Sequence, residues 1–278
     1  MPFFESFDKT PIYYESSAGA QPYTLIILHG WAVGRIENYK PFRQYLDCFN
    51  LVFWDARNHG KTAARVQATI SDLAHDLRHF LREVYKEKYP VIVIGHSLGA
   101  MTLFEYVGRY GTELISKIVI IDQSPRLLTD AQWKLGMFGD CPAEKNEEII
   151  RALATDPAQG LIHLTSLFLN KEFISIPLNQ ARFSLNAMPV IAPEAAPGLI
   201  NIWRSFTAED FRPFIKKIDI PVLLLYGEKS QFYLKETGEW MQDNIAGSRL
   251  KIFPRGDHNP FLAEPNEFFQ SIKGFVLE

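Results

Sequence analysis

The sequence predicts an α/β fold, a parallel sheet buried between helices. Six short runs stand out: Leu25-Ile26-Ile27-Leu28, Leu51-Val52-Phe53-Trp54, Val91-Ile92-Val93-Ile94, Ile118-Val119-Ile120-Ile121, Val222-Leu223-Leu224-Leu225 and Leu250-Lys251-Ile252-Phe253. They are mostly apolar throughout rather than alternating, as strands covered on both faces are. Helical stretches lie between several of them, and that alternation defines the class. It breaks over 125–216, a stretch rich in Pro, Ala, Asn and aromatic residues with no convincing buried strand.

In chain order, the run at 25–28 leads into the glycine-containing turn His29-Gly30-Trp31-Ala32-Val33-Gly34, and the run at 51–54 into Asp55-Ala56-Arg57-Asn58-His59-Gly60. The clearest helix covers 70–86. Thr69-Ile70-Ser71-Asp72 forms a capping arrangement at its start. Its residues Leu73, Leu77, Phe80, Leu81 and Val84 fall on one stripe at helical spacing. The run at 91–94 turns through Gly95-His96-Ser97-Leu98-Gly99 into a helix over 98–110, and the run at 118–121 ends on Asp122. Helical pieces are expected near 131–138, 145–154 and 161–169. The segment 125–216 reads as one helical insertion, which leaves 1–124 and 217–278 as a single interrupted core. The last helix spans 266–277, with Phe268, Phe269, Ile272, Phe275 and Val276 facing inward.

Composition narrows the function classes. Of 278 residues, 47% are apolar and 22% charged, the balance of a soluble globular protein with a sizeable core. The net charge of −3 argues against a nucleic-acid partner. Two cysteines cannot build a disulfide framework or a Cys-rich zinc site, which fits a reducing compartment. No run approaches the roughly 20 apolar residues of a membrane span, and the first residues do not read as a signal peptide. A soluble, cytoplasmic protein acting on a small molecule is expected; no metal or cofactor is called for. Its oligomeric state is not legible.

The chemistry centres on Ser97. A Gly-x-Ser-x-Gly pattern is weak by itself, and its place between a strand and a helix gives it weight. There the glycines permit a sharp turn that thrusts the serine hydroxyl above the sheet, at a helix N-terminus that favours developing negative charge. The nucleophile needs a base, and His258 is the histidine best placed for it. It lies in Gly256-Asp257-His258-Asn259-Pro260, after the run at 250–253, where α/β sheets hold their catalysts. His75 and His79 lie four apart on the helix face opposite its apolar stripe, a solvated face rather than a metal site. His163 has no partner pattern; His29 and His59, beside glycines, shape loops. His96 belongs to the turn, its side chain directed away from the serine hydroxyl. The amides of Trp31 and Leu98 are the candidate oxyanion donors, each typically worth a factor of ~10²–10³ in rate.

His29-Gly30-Trp31, then Trp54-Asp55 through Gly60-Lys61-Thr62, Gly95-His96-Ser97-Leu98-Gly99 and Gly256-Asp257-His258 together resemble the α/β-hydrolase superfamily. The motifs run in the family's order over all but the insertion. In detail they are similar to its esterase, cofactor-free haloperoxidase and C–C hydrolase branches. The resemblance implies an eight-stranded, mostly parallel sheet flanked by helices, with 125–216 as a helical cap inserted between strands 6 and 7. It departs from the family at the acid. Where most members carry Asp after strand 7, this chain has Ser230, in Tyr226-Gly227-Glu228-Lys229-Ser230. Asp257 adjoins His258, and neighbouring side chains rarely make the required bond. Two candidates stay open, Asp122 after strand 6 and Glu228 just before Ser230, along with a triad that lacks an acid.

The expected reaction is hydrolysis of a small, largely apolar carboxylic ester or lactone through an acyl-enzyme. Trp133, Phe138, Phe168 and Trp203 in the insertion, with Phe173, Phe183, Phe206, Met137 and Met188, suit an apolar pocket, and Arg126, Arg182 or Arg204 a substrate carboxylate. The alternatives are a C–C bond hydrolase, a cofactor-free dioxygenase and a non-catalytic ligand-binding protein on the same scaffold.

Overall fold

A computed structural model of the chain describes residues 2–32, 36–85, 91–170 and 191–278. Phe173, Arg182, Phe183 and Met188 lie outside the described residues. Strands β1 (Phe3–Glu5), β2 (Pro11–Ser17), β3 (Thr24–Leu28), β4 (Asn50–Trp54), β5 (Val91–His96), β6 (Lys117–Ile121), β7 (Val222–Gly227) and β8 (Arg249–Phe253) form one sheet. Their order is β1-β2-β4-β3-β5-β6-β7-β8. From β4 to β8 in that order every pairing is parallel, while β1 and β2 add antiparallel at one edge.

The central strands lack polar alternation because each face feeds its own core. Ile26, Leu28, Val52 and Val93 point to one side, and Leu25, Ile27, Phe53 and Ile92 to the other. The first core takes Leu73 and Leu77 of α2 (Ile70–His79) and Leu103 and Phe104 of α3 (Leu98–Tyr110). The second takes Phe42 of α1 (Lys40–Tyr45) and Phe268, Phe269 and Ile272 of the C-terminal helix Pro265–Leu277. The edge strand β1 and its neighbour β2 escaped the sequence pattern. They are held partly by Arg57, whose buried guanidinium bonds Asp8 between them and Asp76 on α2.

Thr69 and Asp72 cap α2 as expected, the Thr69 N–H donating to Asp72 Oδ2 at 2.8 Å. The helix is not regular over its described length. At Phe80–Val84 the turn widens, and Tyr85 N–H reaches Phe80 O at 2.7 Å. Phe80 thereby packs against Phe4 and Trp54, and the Tyr85 hydroxyl bonds Thr24.

Between β6 and β7 lie α4 (Ala143–Thr155), α5 (Pro157–Ser166), α6 (Ala196–Thr207) and α7 (Arg212–Ile215), and no strand among the described residues. The helix expected at 131–138 is absent. The Asp130 carboxylate instead accepts the Gln132 and Trp133 amides at 2.8 and 2.9 Å, a local alternative to helical bonding. Helix α6 docks on the core: Ile70 N–H donates to Ser205 Oγ at 2.8 Å, and Trp31 Nε1 to Leu199 O at 3.0 Å. Gly198 permits this approach, since a Cβ there would stand 2.5 Å from Arg65 O. After β7 come α8 (Lys235–Asn244), α9 (Pro260–Ala263) and α10, the C-terminal helix. Among the described residues no helix is long and apolar enough to cross a membrane.

Candidate active site

Ser97 sits between β5 and α3 with φ 52° and ψ −115°, a backbone held in the sparsely populated positive-φ region. Two glycines make the turn possible. A Cβ on Gly99 would lie 2.2 Å from Leu28 O, and one on Gly95 2.7 Å from Ala100 N. The Ser97 N–H donates to Ile121 O at 3.2 Å, so the serine is tied to the end of the neighbouring strand β6.

Asp122 is the next residue on that strand, fully buried and itself at φ 44°. Its Oδ1 accepts Gly227 N–H at 3.2 Å; its Oδ2 accepts the Ser230 hydroxyl and His258 Nδ1, both at 2.6 Å. A carboxylate only accepts, so Nδ1 carries a proton and a neutral His258 has its lone pair on Nε2. Ser230 is oriented for its part, since its Oγ takes the Phe232 and Tyr233 amides at 3.2 Å each, leaving its proton for Asp122. The residue in the family's usual acid position thus supports a carboxylate supplied by another strand. Glu228, the other acid weighed from sequence, is at the surface, its carboxylate 3.9 Å from Lys229 Nζ. It emerges from β7 on the solvent side, whereas the Asp122 side chain turns under the His258 loop.

Gln231 was not singled out from sequence. Its Oε1 accepts His258 N–H at 3.1 Å, and its buried Nε2 has no hydrogen-bond partner. His96 bonds the other side of the same residue, Nε2 to His258 O at 2.8 Å. Phe232 covers the His258 ring at 4.5 Å between centroids.

Of the two candidate oxyanion donors, Trp31 sits in a turn held on both sides by buried histidines. Ala56 N–H donates to His29 Nε2 at 2.9 Å, so His29 donates from Nδ1 to Gly30 O at 2.7 Å. With that carbonyl held, the planar trans peptide directs Trp31 N–H the opposite way. Ala32 N–H donates to His59 Nε2 at 2.9 Å, and His59 Nδ1 donates to Arg57 O at 2.8 Å. Burial holds both rings neutral: His29 is lowered despite the Asp55 charge, and His59, with His29 beside it, is pushed down to about 3. Leu98, the first residue of α3, presents its amide at the helix N-terminus, where no intrahelical acceptor exists.

Three of the expected pocket residues gather at two places. Phe138 and Phe168 join Phe232 in one aromatic cluster, at 5.8 and 4.9 Å from its ring, beside His258. Trp203 meets the Trp31 ring at 4.6 Å. Trp133 does neither; it packs on Trp240 at 4.9 Å under Arg212, with Nε1 on Arg126 O, and these contacts describe a packing residue. Arg126 and Arg204 pair with Asp130 and Glu147 rather than standing free for a substrate carboxylate. His75 is likewise not on a solvated face, its half-buried ring lying against Phe7 and Tyr110. Among the described residues no group of three or more His, Cys, Asp or Glu could hold a metal ion.

The chain is similar over 95% of its length to a pimeloyl-[acyl-carrier protein] methyl ester esterase from Nitrosospira multiformis, with 24% identity and 97% of that protein covered. A putative non-heme chloroperoxidase from Synechocystis sp. is 25% identical over 89% of this chain and 88% of its own. Among solved structures, an esterase from Exiguobacterium antarcticum superposes with a TM-score of 0.82 at 24% identity, covering 99% of both chains. The model of the alpha/beta hydrolase family matches residues 25–271. With the sheet order and the strand-end placement of Ser97, Asp122 and His258, that match establishes that the chain belongs to the alpha/beta hydrolase family.

Proposed function

We propose that the chain is a serine hydrolase that cleaves a small, largely apolar carboxylic ester or lactone. The observation that carries this reading is the 2.6 Å bond from His258 Nδ1 to the buried Asp122 carboxylate, on a loop that His96 ties to the Ser97 turn. His258 Nε2 takes the Ser97 proton as the hydroxyl attacks the carbonyl, and Asp122 stabilises the imidazolium that forms. The Trp31 and Leu98 amides receive the oxyanion. His258 then gives its proton to the leaving oxygen, and water, activated by the same histidine, releases the acid from Ser97. The segment 125–216 serves as the cap. Phe138, Phe168 and Phe232 offer the apolar wall of the site, and Trp203 reaches it through Trp31. The relatives named as esterases agree with ester cleavage and leave the substrate open. Two cysteines, Cys48 and Cys141, are unpaired, in keeping with a cytoplasmic setting.

Labelling with a fluorophosphonate tests the reading. Wild type should label at Ser97 and hydrolyse p-nitrophenyl acetate, and Ser97→Ala should do neither. Turnover untouched by Ser97→Ala would refute it, and oxygen uptake with a heteroaromatic substrate would then point to the cofactor-free oxygenase chemistry of this fold.

A further inference from the structure

Tyr39 and His96 form a hydrogen-bonded chain whose direction is fixed at both ends. Gly30 N–H can only donate, and it does so to Tyr39 Oη at 3.0 Å. His258 O can only accept, so the His96 nitrogen 2.8 Å away, Nε2, carries a proton. A neutral His96 then presents a lone pair at Nδ1, and the Tyr39 hydroxyl donates to it at 2.6 Å. Burial, with the neighbouring His258 adding to it, keeps His96 well below the ordinary imidazole range, so the neutral form is the one present. The chain therefore reads Gly30 N–H to Tyr39 O–H to His96, and His96 N–H to the His258 carbonyl.

The two ends of this chain belong to different parts of the proposed machinery. Gly30 precedes the Trp31 amide and stands close to the serine; a Cβ on it would lie 3.4 Å from Ser97 Cβ. His258 carries the base. Tyr39 also stacks on Phe261, at 5.7 Å and 29°, in α9 just after the His258 loop. His29 fixes the carbonyl of Gly30 and Tyr39 its amide, so both sides of that residue are held.

We propose that Tyr39 and His96 are positioning residues that hold the oxyanion loop at Gly30–Trp31 and the His258 loop in one register about Ser97. The proposal rests on the serine-hydrolase reading above. Neither side chain exchanges a proton with substrate; each acts by restricting where the Trp31 amide and the His258 ring can lie.

The test measures kcat and KM on p-nitrophenyl acetate, with kcat referred to sites titrated by a fluorophosphonate. Tyr39→Phe keeps the ring and removes the hydroxyl. It should lower kcat per titrated site about tenfold, the equivalent of one hydrogen bond in the transition state, with KM little changed. His96→Gln can still place an N–H where Nε2 stands, and should stay within about threefold of wild type; His96→Asn cannot reach His258 O and should lose about tenfold. A purely structural role would reduce the titratable fraction and leave kcat per site unchanged, and that result overturns the proposal. Equal rates for His96→Gln and His96→Asn would overturn it as well, and this pair decides the matter should Tyr39→Phe fail to fold. Retained turnover in Ser97→Ala would remove the hydrolase reading itself, and this proposal with it.

Discussion

Replacing Asp122 by Asn tests whether the acid has moved from the end of β7 to the end of β6. Three donors converge on the carboxylate, Gly227 N–H, the Ser230 hydroxyl and His258 Nδ1. An amide of the same shape must turn its NH₂ either toward Gly227 or toward Ser230 and His258 together. With nitrogen toward His258 and Ser230, it forces the wrong histidine tautomer and meets a hydroxyl already engaged by two amides. With nitrogen toward Gly227 the tautomer survives, two donors face each other, and the charge that stabilises the imidazolium is gone. Either orientation removes the carboxylate that faces the imidazolium as it forms. The expected loss in kcat is ~10³–10⁴, about 4–5.5 kcal/mol, with the fold retained. Adding Ser230→Asp to Asp122→Asn returns a carboxylate to the same side of His258 and should recover about tenfold or more of the loss, a strong coupling between adjacent sites. Glu228→Gln, at the surface, should change little. The assay is p-nitrophenyl acetate hydrolysis per titrated site. Asp122→Asn within tenfold of wild type, together with collapse of Glu228→Gln, would refute the assignment.

The support for Asp122 and the buried histidines give two further expectations. Ser230→Ala removes one donor from Asp122 and leaves the Phe232 and Tyr233 amides without their acceptor, so it should cost about 1–3 kcal/mol of stability in urea unfolding and lower kcat about tenfold; unchanged values for both would show that Ser230 is incidental. Stability should also fall on acidification. His59 is held near 3 in the fold and is free to protonate at its ordinary value when unfolded, so between those values the unfolded chain binds the extra proton and stability rises with pH. From about pH 7 to about pH 5 His59 alone should account for a loss of about 2 kcal/mol, and His29 and His96 act in the same direction. Urea midpoints that are flat over this range would contradict the neutral, buried assignment, and His59→Gln should flatten the slope by one proton.

What could be read from sequence follows from how local each signal is. The central strands declare themselves because both faces are buried, so every position is apolar and the run needs no partner to be recognised. The strand Pro11–Ser17, second from the edge, is buried at Ile12 and Tyr13 and increasingly open beyond them, and its polar residues conceal it. Helix α6 is hidden similarly, because Pro197 and Gly198 read as breakers while in the fold one opens the helix and the other lets it approach the core. At the site, Ser97 and His258 lie in motifs a few residues long, and these can be found by eye. The acid is different in kind. The choice between Asp122 and Glu228 depends on which side chain reaches a histidine more than a hundred residues away in one case and on the neighbouring strand in the other, and no local pattern encodes that.

Ser230 matters more than its lack of charge suggests. As a sequence difference it is a vacancy where an acid is expected. In the fold its hydroxyl is fixed by two amides and directed at the Asp122 carboxylate, so the position still serves His258 at one remove. A carboxylate at both positions would set two like charges about a hydrogen bond apart in a buried site, where only one ionises readily. A small donor at Ser230 is therefore the natural complement of an acid on β6, and the two residues should be exchanged together or not at all.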